Sequence, residues 1–161
     1  MLEKITNIVV QDIQVDEIRG YVFKKEGHKW NYEKDIREIG HAYCFVGIER
    51  STKLILAYHL GKRDTVATDT FIGKLRYATA ASRYQLTSDG FKPYVKAVQM
   101  LLRDRVDFAQ LVKVYGTSRE PEPQCIEHVG FDVGVTPIQI GLLLEEGVKV
   151  VLTRYLIELP G

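Results

Sequence analysis

A chain of 161 residues that is 45% hydrophobic and 27% charged suits one domain with a real core, or one domain plus a tail. Its 22 basic and 21 acidic residues leave a formal charge of +1, so it lacks the basic excess of a stand-alone DNA-binding domain; nucleic acid would have to be met through a local patch or a further segment. No apolar run is long enough to span a bilayer, and Met1-Leu2-Glu3-Lys4 does not open a secretory signal, so a cytoplasmic place without membrane contact is expected.

Residues 1–11, with Ile5, Ile8, Val9 and Val10, lead directly into the run Ile13 to Phe23, whose β-branched and aromatic content reads as a strand. Ile13, Val15, Tyr21 and Phe23 fall on one face, Ile18 and Val22 on the other. Apolar residues on both faces predict a central strand covered on both sides. Asp16 shares its face with Ile18 and Val22. A carboxylate there needs either an exposed strand end or a positive partner, a metal among the candidates. Residues 24–40 mix Lys24, Lys25, Lys29, Lys34 and Arg37 with Glu26, Glu33, Asp35 and Glu38. They read as a solvated loop or short helix, with a DNA-contacting loop as the alternative.

Ala42 to Glu49 reads as a second strand and Leu54 to Leu60 as a third, joined by polar Arg50-Ser51-Thr52 into an antiparallel hairpin. His59 reads as a strand residue satisfied by a neighbour, since no other ligand lies near it in sequence. Thr65 or Thr68 is expected to cap a helix whose apolar positions are Phe71, Ile72, Leu75 and Ala78. Tyr84 to Ser88 is a short strand running into an Asp89-Gly90 turn. Pro93 then opens a helix with a buried stripe of Tyr94, Val95, Val98, Leu101 and Leu102. Phe108 to Tyr115 is a fifth strand, ended by Gly116. Cys44 and Cys125 read as free thiols. Cys125 and His128 offer half of a zinc site, but no second pair stands at a usable spacing, so zinc is not expected.

The order β-β-β-α-β-α-β predicts an α/β domain, a mixed sheet with helices packed on its faces. Sites in such sheets form at the carboxyl ends of strands, near the switch in strand order. Asp89 stands at one such end. If the first and fourth strands are neighbours, Asp16 and Asp89 converge despite lying 73 positions apart (89 − 16). Two facing carboxylates repel, and a divalent cation between them removes the penalty. Hard Mg²⁺ or Mn²⁺ prefers such oxygen ligands, and with nucleic-acid phosphates added this is the layout of two-metal phosphoryl transfer. The plainer alternative makes Asp16 a strand-end acid and Asp89 a turn former.

Several runs narrow the choice: Val15-Asp16-Glu17-Ile18, the stretch from Val46 to Asp64, Gln85-Leu86-Thr87-Ser88-Asp89-Gly90-Phe91, and Gln110 to Tyr115. In order and spacing, over residues 11–116, they resemble bacterial insertion-sequence transposases of the DDE class, near the insertion-sequence-one-like members. The resemblance implies a ribonuclease H-like core with a five-stranded sheet in order 3-2-1-4-5, strand 2 antiparallel. It also implies Mg²⁺-dependent DNA cleavage and strand transfer, with Asp16 and Asp89 as catalytic and metal-holding carboxylates. The implied partners are DNA, as transposon ends and target, together with a second copy or a full-length transposase.

Three departures accompany it. Arg19 stands where the family usually has Trp, and the family's N-terminal DNA-recognition segment is not seen. No Glu-Arg-Gln-Asn run, the family's source of the third acid, follows the fifth strand. The third acid is therefore unknown. Glu49 lies in the hairpin, and Glu127, Glu145 and Glu146 are the remaining candidates, the last two following Leu142-Leu143-Leu144 on what could be a short helix. The expected organisation is an incomplete transposase core over 1–116 and a divergent tail over 117–161. Within that tail, Val148 to Leu152 and Tyr155 to Ile157 read as a strand or buried apolar segment. A frameshift or deletion in a transposase gene would produce such a tail; because the third acid is missing, weak activity or none is expected. The competing expectations are a non-catalytic fragment that interferes with transposase assembly, and a nuclease of the same superfamily.

Overall fold

The β-branched and aromatic run after Gln11 forms β1 (Asp12–Val22). It pairs antiparallel along its length with β2 (Gly40–Glu49), from Ile13 opposite Glu49 to Val22 opposite Gly40. The polar turn after Glu49 returns the chain as β3 (Ile55–Gly61), antiparallel to β2. Helix α1 (Thr65–Ala78) crosses to β4 (Tyr84–Asp89), and α2 (Pro93–Leu101) crosses to β5 (Val106–Tyr115). β4 is parallel to both β1 and β5. The computed structural model describes residues 5–115, 135–144 and 148–157.

The five strands stand in the order 3-2-1-4-5, the arrangement expected of a ribonuclease H-like core. Two further strands continue the same sheet. β7 (Val148–Ile157) pairs antiparallel with β5, and β6 (Val135–Leu144) pairs antiparallel with β7, giving the order β3-β2-β1-β4-β5-β7-β6. The apolar segment expected around Val148–Ile157 is thus a strand. Leu142–Leu144 lies in β6 rather than on a helix. Pro137 cannot donate to a ladder, and β6, which carries it opposite Tyr155, is an edge strand among the described residues, a place where proline is tolerated.

Both helices lie on one face of the sheet, and the reason is topological. The β3-α1-β4 and β4-α2-β5 connections are parallel crossovers that step across the sheet in the same direction, so right-handedness puts both on the same side. Under them sits one core, built from Ile13, Val15, Phe45, Phe71, Leu75, Leu86, Tyr94 and Phe108 among others. Each such side chain contributes about 1.5–3 kcal/mol by leaving water. The two-sided cover expected for β1 is therefore absent among the described residues: Ile18 is 65% exposed on the opposite face. Tyr21 and Phe23 are exposed as well, because β1 and β2 run on as a two-stranded arm past the end of β4.

The cap of α1 also differs from expectation. Asp64, not a threonine, accepts the Ala67 N–H at 2.9 Å. Its carboxylate suits the positive end of the helix and pairs with Arg37. The hydroxyl of Thr68 turns inward and donates to the Asp64 carbonyl at 2.7 Å. Residues 24–40 form two short 3₁₀ turns, Glu26–His28 and Asn31–Glu33, whose charges pair locally as Lys29–Glu26 and Lys24–Glu33. Gly40, at φ 96°, lets the chain turn back into β2 where a side chain would strike the Glu26 carboxylate.

Candidate metal centre

Register brings the two aspartates together. Asp12 pairs with Gln85 and Gln14 with Thr87, and continuing that offset of 73 sets Asp16 opposite Asp89. The ladder itself stops at Gln14 and Thr87, β4 ends at Asp89, and β1 runs on against β2 alone. The end of β4 is thus a notch in the sheet. Strand alternation sends Val15 into the core and Asp16 to the open face. Glu17 points to the helix side, with a side chain only 2% exposed. At the notch no strand separates the two faces, so the carboxylates of adjacent residues meet. One ligand atom from each of Asp16, Glu17 and Asp89 lies within 4.8 Å of the others.

Asp89 is held on three sides. Its Oδ1 accepts the Phe91 N–H at 3.0 Å. The Gln110 side-chain amide, from β5, donates to the carbonyls of Asp89 at 2.9 Å and Phe91 at 3.2 Å, and to Ser88 Oγ at 3.2 Å. Gly90 lies so close to β5 that a Cβ would stand 2.9 Å from Val112 Cγ2. Asp16 is more exposed, and its Oδ1 accepts the Glu17 N–H at 2.8 Å.

One cation already stands in the notch. Arg63, from the turn between β3 and α1, donates through Nε to Glu17 Oε2 at 2.8 Å and through Nη2 to Asp89 Oδ2 at 3.0 Å. Its guanidinium stacks 3.9 Å from the centre of the Phe91 ring. Burial opposes its charge, but the Glu17 hydrogen bond and the fields of Glu17 and Asp89 outweigh that and hold its pKa above the usual arginine value. Beneath, an aromatic chain of Phe45, Phe71, Tyr94 and Phe91 ties the notch to the core, each ring 5.8–6.5 Å from the next. The Tyr94 hydroxyl is buried with no hydrogen-bond partner, as is Glu17 Oε1. Burial, then the neighbouring Glu17, then Asp89 and Asp16, push the Tyr94 pKa far up, so this hydroxyl keeps its proton beside the carboxylates.

The donor set fits a hard divalent ion. All three groups offer oxygen, and a buried carboxylate oxygen is left without a partner. Two oxygens on one Mg²⁺ at about 2.1 Å each stand roughly 3.0 Å apart when cis and roughly 4.2 Å when trans, so the trio would close inward to share an ion. A groove on the open face reaches from this notch and is edged by four cations, Arg50, Lys53, Arg63 and Lys92. Arg50 is tied to Asp12 at 3.1 Å.

Of the acids considered for the third position, Glu49 is committed elsewhere. It accepts from the Thr52 hydroxyl at 2.7 Å and the Thr52 N–H at 2.6 Å, closing the hairpin turn, and those bonds lower its pKa. Glu127, Glu145 and Glu146 lie outside the described residues, as do Cys125 and His128. Cys44 is a free thiol in β2. His59 packs against Phe45 with ring centres 6.3 Å apart, and burial lowers its pKa. Sequence reasoning passed over Glu17, Arg63 and Tyr94 as site residues. Alternation placed Glu17 on the wrong face, Tyr94 read as helix stripe, and nothing local marks a turn arginine as a partner of acids 46 and 26 positions away.

No known family profile matches the chain, and no curated protein sequence matches it. Among solved structures it is similar to the piggyBac transposase in a synaptic complex with hairpin DNA, at 13% identity and a TM-score of 0.48. The likeness covers 91% of this chain and 33% of that one. The chain thus spans about a third of the length of that solved structure, and a likeness this distant bears on neither substrate nor residue roles. Among the described residues no helix is long and apolar enough to cross a membrane.

Proposed function

We propose that this chain is the catalytic core of a divalent-cation-dependent DNA-cleaving and strand-joining enzyme, similar to insertion-sequence transposases of the DDE class. The observation that carries the reading is the meeting of Asp16 and Asp89 at the notch where β4 ends, beside a cation-edged groove. Asp16 and Asp89 hold Mg²⁺ or Mn²⁺ through carboxylate oxygens. Such an ion, when bound, activates a water or a 3′-hydroxyl and offsets charge on the phosphate under attack. Lys53 and Lys92 at the groove edge neutralise flanking phosphates and set the register of the duplex. Gln110 and Gly90 keep Asp89 at the strand end, so the carboxylate does not follow the duplex when it binds. Hydrolysis breaks the P–O3′ bond, leaving a 5′-phosphate and a 3′-hydroxyl; in the joining step the latter attacks a target phosphate, breaking its P–O3′ bond and releasing the target strand's own 3′-hydroxyl.

The core by itself is expected to turn over slowly, and the test is direct. Supercoiled plasmid and a linear duplex are incubated with the chain and Mg²⁺ or Mn²⁺, and nicks are counted. Slow, cation-dependent nicking lost in Asp16→Asn and Asp89→Asn supports the reading. Nicking that survives both substitutions overturns it, as does failure of the chain to bind either cation. Cleavage of RNA–DNA hybrid in preference to duplex DNA would move the assignment to a nuclease of the same fold.

A further inference from the structure

We infer that Glu17 is the third carboxylate of this cation site and that Arg63 is the internal cation occupying it until a divalent ion arrives. The inference rests on the reading of Asp16 and Asp89 as cation ligands. It goes further by naming the missing acid from within β1 rather than from a helix beyond β5.

Three observations point this way. First, the Glu17 carboxylate is committed to the notch and to nothing else. Its side chain is 2% exposed, one oxygen bonds Arg63, and the other is buried without a partner. Second, the Tyr94 hydroxyl is also buried and unpartnered, and it lies within the fields of Glu17, Asp89 and Asp16. A fully buried donor left short of full hydrogen-bond geometry beside the Glu17 carboxylate marks a place where polar groups are held together without being satisfied by one another. Third, the formal charges do not balance: three carboxylates face a single guanidinium, so the cluster is short of positive charge.

Arg63 bonds the same two acids that a divalent ion would share, Glu17 and Asp89. Ion and guanidinium therefore compete for those oxygens. The competition explains how an acid this buried is tolerated without metal, since removing its partner would leave an uncompensated charge. Displaced, Arg63 remains stacked on Phe91 at the groove edge, where its fork suits a phosphate. Binding of the ion thus releases a phosphate ligand beside the site.

The test is Mn²⁺ binding, read from the loss of the free-ion electron paramagnetic resonance signal, with circular dichroism as the fold check. Glu17→Gln is expected to weaken Mn²⁺ binding at least tenfold, and Asp35→Asn, an exposed acid outside the cluster, to leave it unchanged. Glu17→Asp, which keeps the charge and shortens the reach, is the second variant should Glu17→Gln fail to fold; it too should bind at least tenfold more weakly. Arg63→Gln should bind Mn²⁺ more tightly than the parent chain, and its melting temperature should rise more on adding Mn²⁺. Parent-like binding by Glu17→Gln, with loss in Asp16→Asn, would overturn the role of Glu17 and leave the two-aspartate reading intact. No Mn²⁺ binding by the parent chain would overturn both. Weaker binding by Arg63→Gln would overturn the place-holding role of Arg63.

Discussion

Val15 and Asp16 are neighbours in β1, and they belong to two different proteins in effect. On the helix side, Val15 joins Ile13, Phe45, Phe71 and Leu86 in a dry core. On the other side, Asp16 looks out over a face where Ile18 and Leu111 remain exposed. The first face supplies stability and demands shape; the second supplies charge and demands placement. The difference teaches that the carboxylates can be concentrated where they repel, because the structure that holds them is anchored elsewhere. The notch at the end of β4 is where the two faces touch, and Glu17 crosses from one to the other.

The sharpest separation of the faces is by substitution on each. Phe71→Ala empties the centre of the core and is expected to cost about 3–5 kcal/mol, read as a fall in the midpoint of denaturant unfolding. Parent-like stability of that variant would deny the helix face its role. Asp16→Asn should do the reverse. Loss of an outer-shell partner costs a metal site roughly 10–100-fold, so loss of a ligand should reduce cation-dependent nicking by at least about a hundredfold, with the unfolding midpoint unchanged or raised. A fall in stability comparable to that of Phe71→Ala would erase the distinction.

Gly90 lies at the junction and should show both effects in smaller measure. A Cβ there meets Val112 Cγ2 at 2.9 Å, an overpacking expected to cost about 1–3 kcal/mol and to displace Asp89. Val112→Ala removes the obstructing methyls, so the double variant should recover much of the loss, as a double-mutant cycle would record. Additive effects in that cycle would mean that the contact is not the cause.

The smallest effect is expected far from both faces, in the turns before β2. The hydrogen bond from Lys29 and that from the His41 N–H lower the Glu26 pKa from 4.5 to about 2. A lowered carboxylate stabilises the folded turn fully above pH 4.5, and that contribution fades as the pH falls toward 2. Glu33, held low by Lys24 and the Trp30 N–H, acts in the same direction. Hydrogen exchange at the His41 amide, corrected for its intrinsic rate, should therefore lose protection between those limits while core amides of β4 keep theirs. Protection that stays flat down to pH 2 would show that the turn does not depend on this carboxylate.

Much of this architecture can be read residue by residue. The alternation of Ile13 and Val15, the spacing of Phe71, Ile72, Leu75 and Ala78, and Pro93 at the first turn of α2 each announce their element locally. So does the placement of Asp89-Gly90 at a strand end. Local reasoning failed in two places. Asp64, itself a favoured cap, caps α1 in place of a threonine and also pairs with Arg37, 27 positions back. Cover on both sides of β1 was inferred from Ile18 and Val22, but handedness sent both helices to the other face.

By itself, then, the amino-acid order determined the elements, because periodicity, turn chemistry and strand ends are properties of neighbouring residues; the strand order came through the resemblance, and the meeting of Asp16 and Asp89 stayed conditional on β1 and β4 lying side by side. Only the tertiary structure decided that Glu17, Arg63 and Tyr94 join them. Alternation separates Glu17 from Asp16 along β1, and only the early end of β4 leaves the gap through which their carboxylates meet. Where a neighbouring strand stops is set by the packing of the whole sheet, and no local stretch of chain records it.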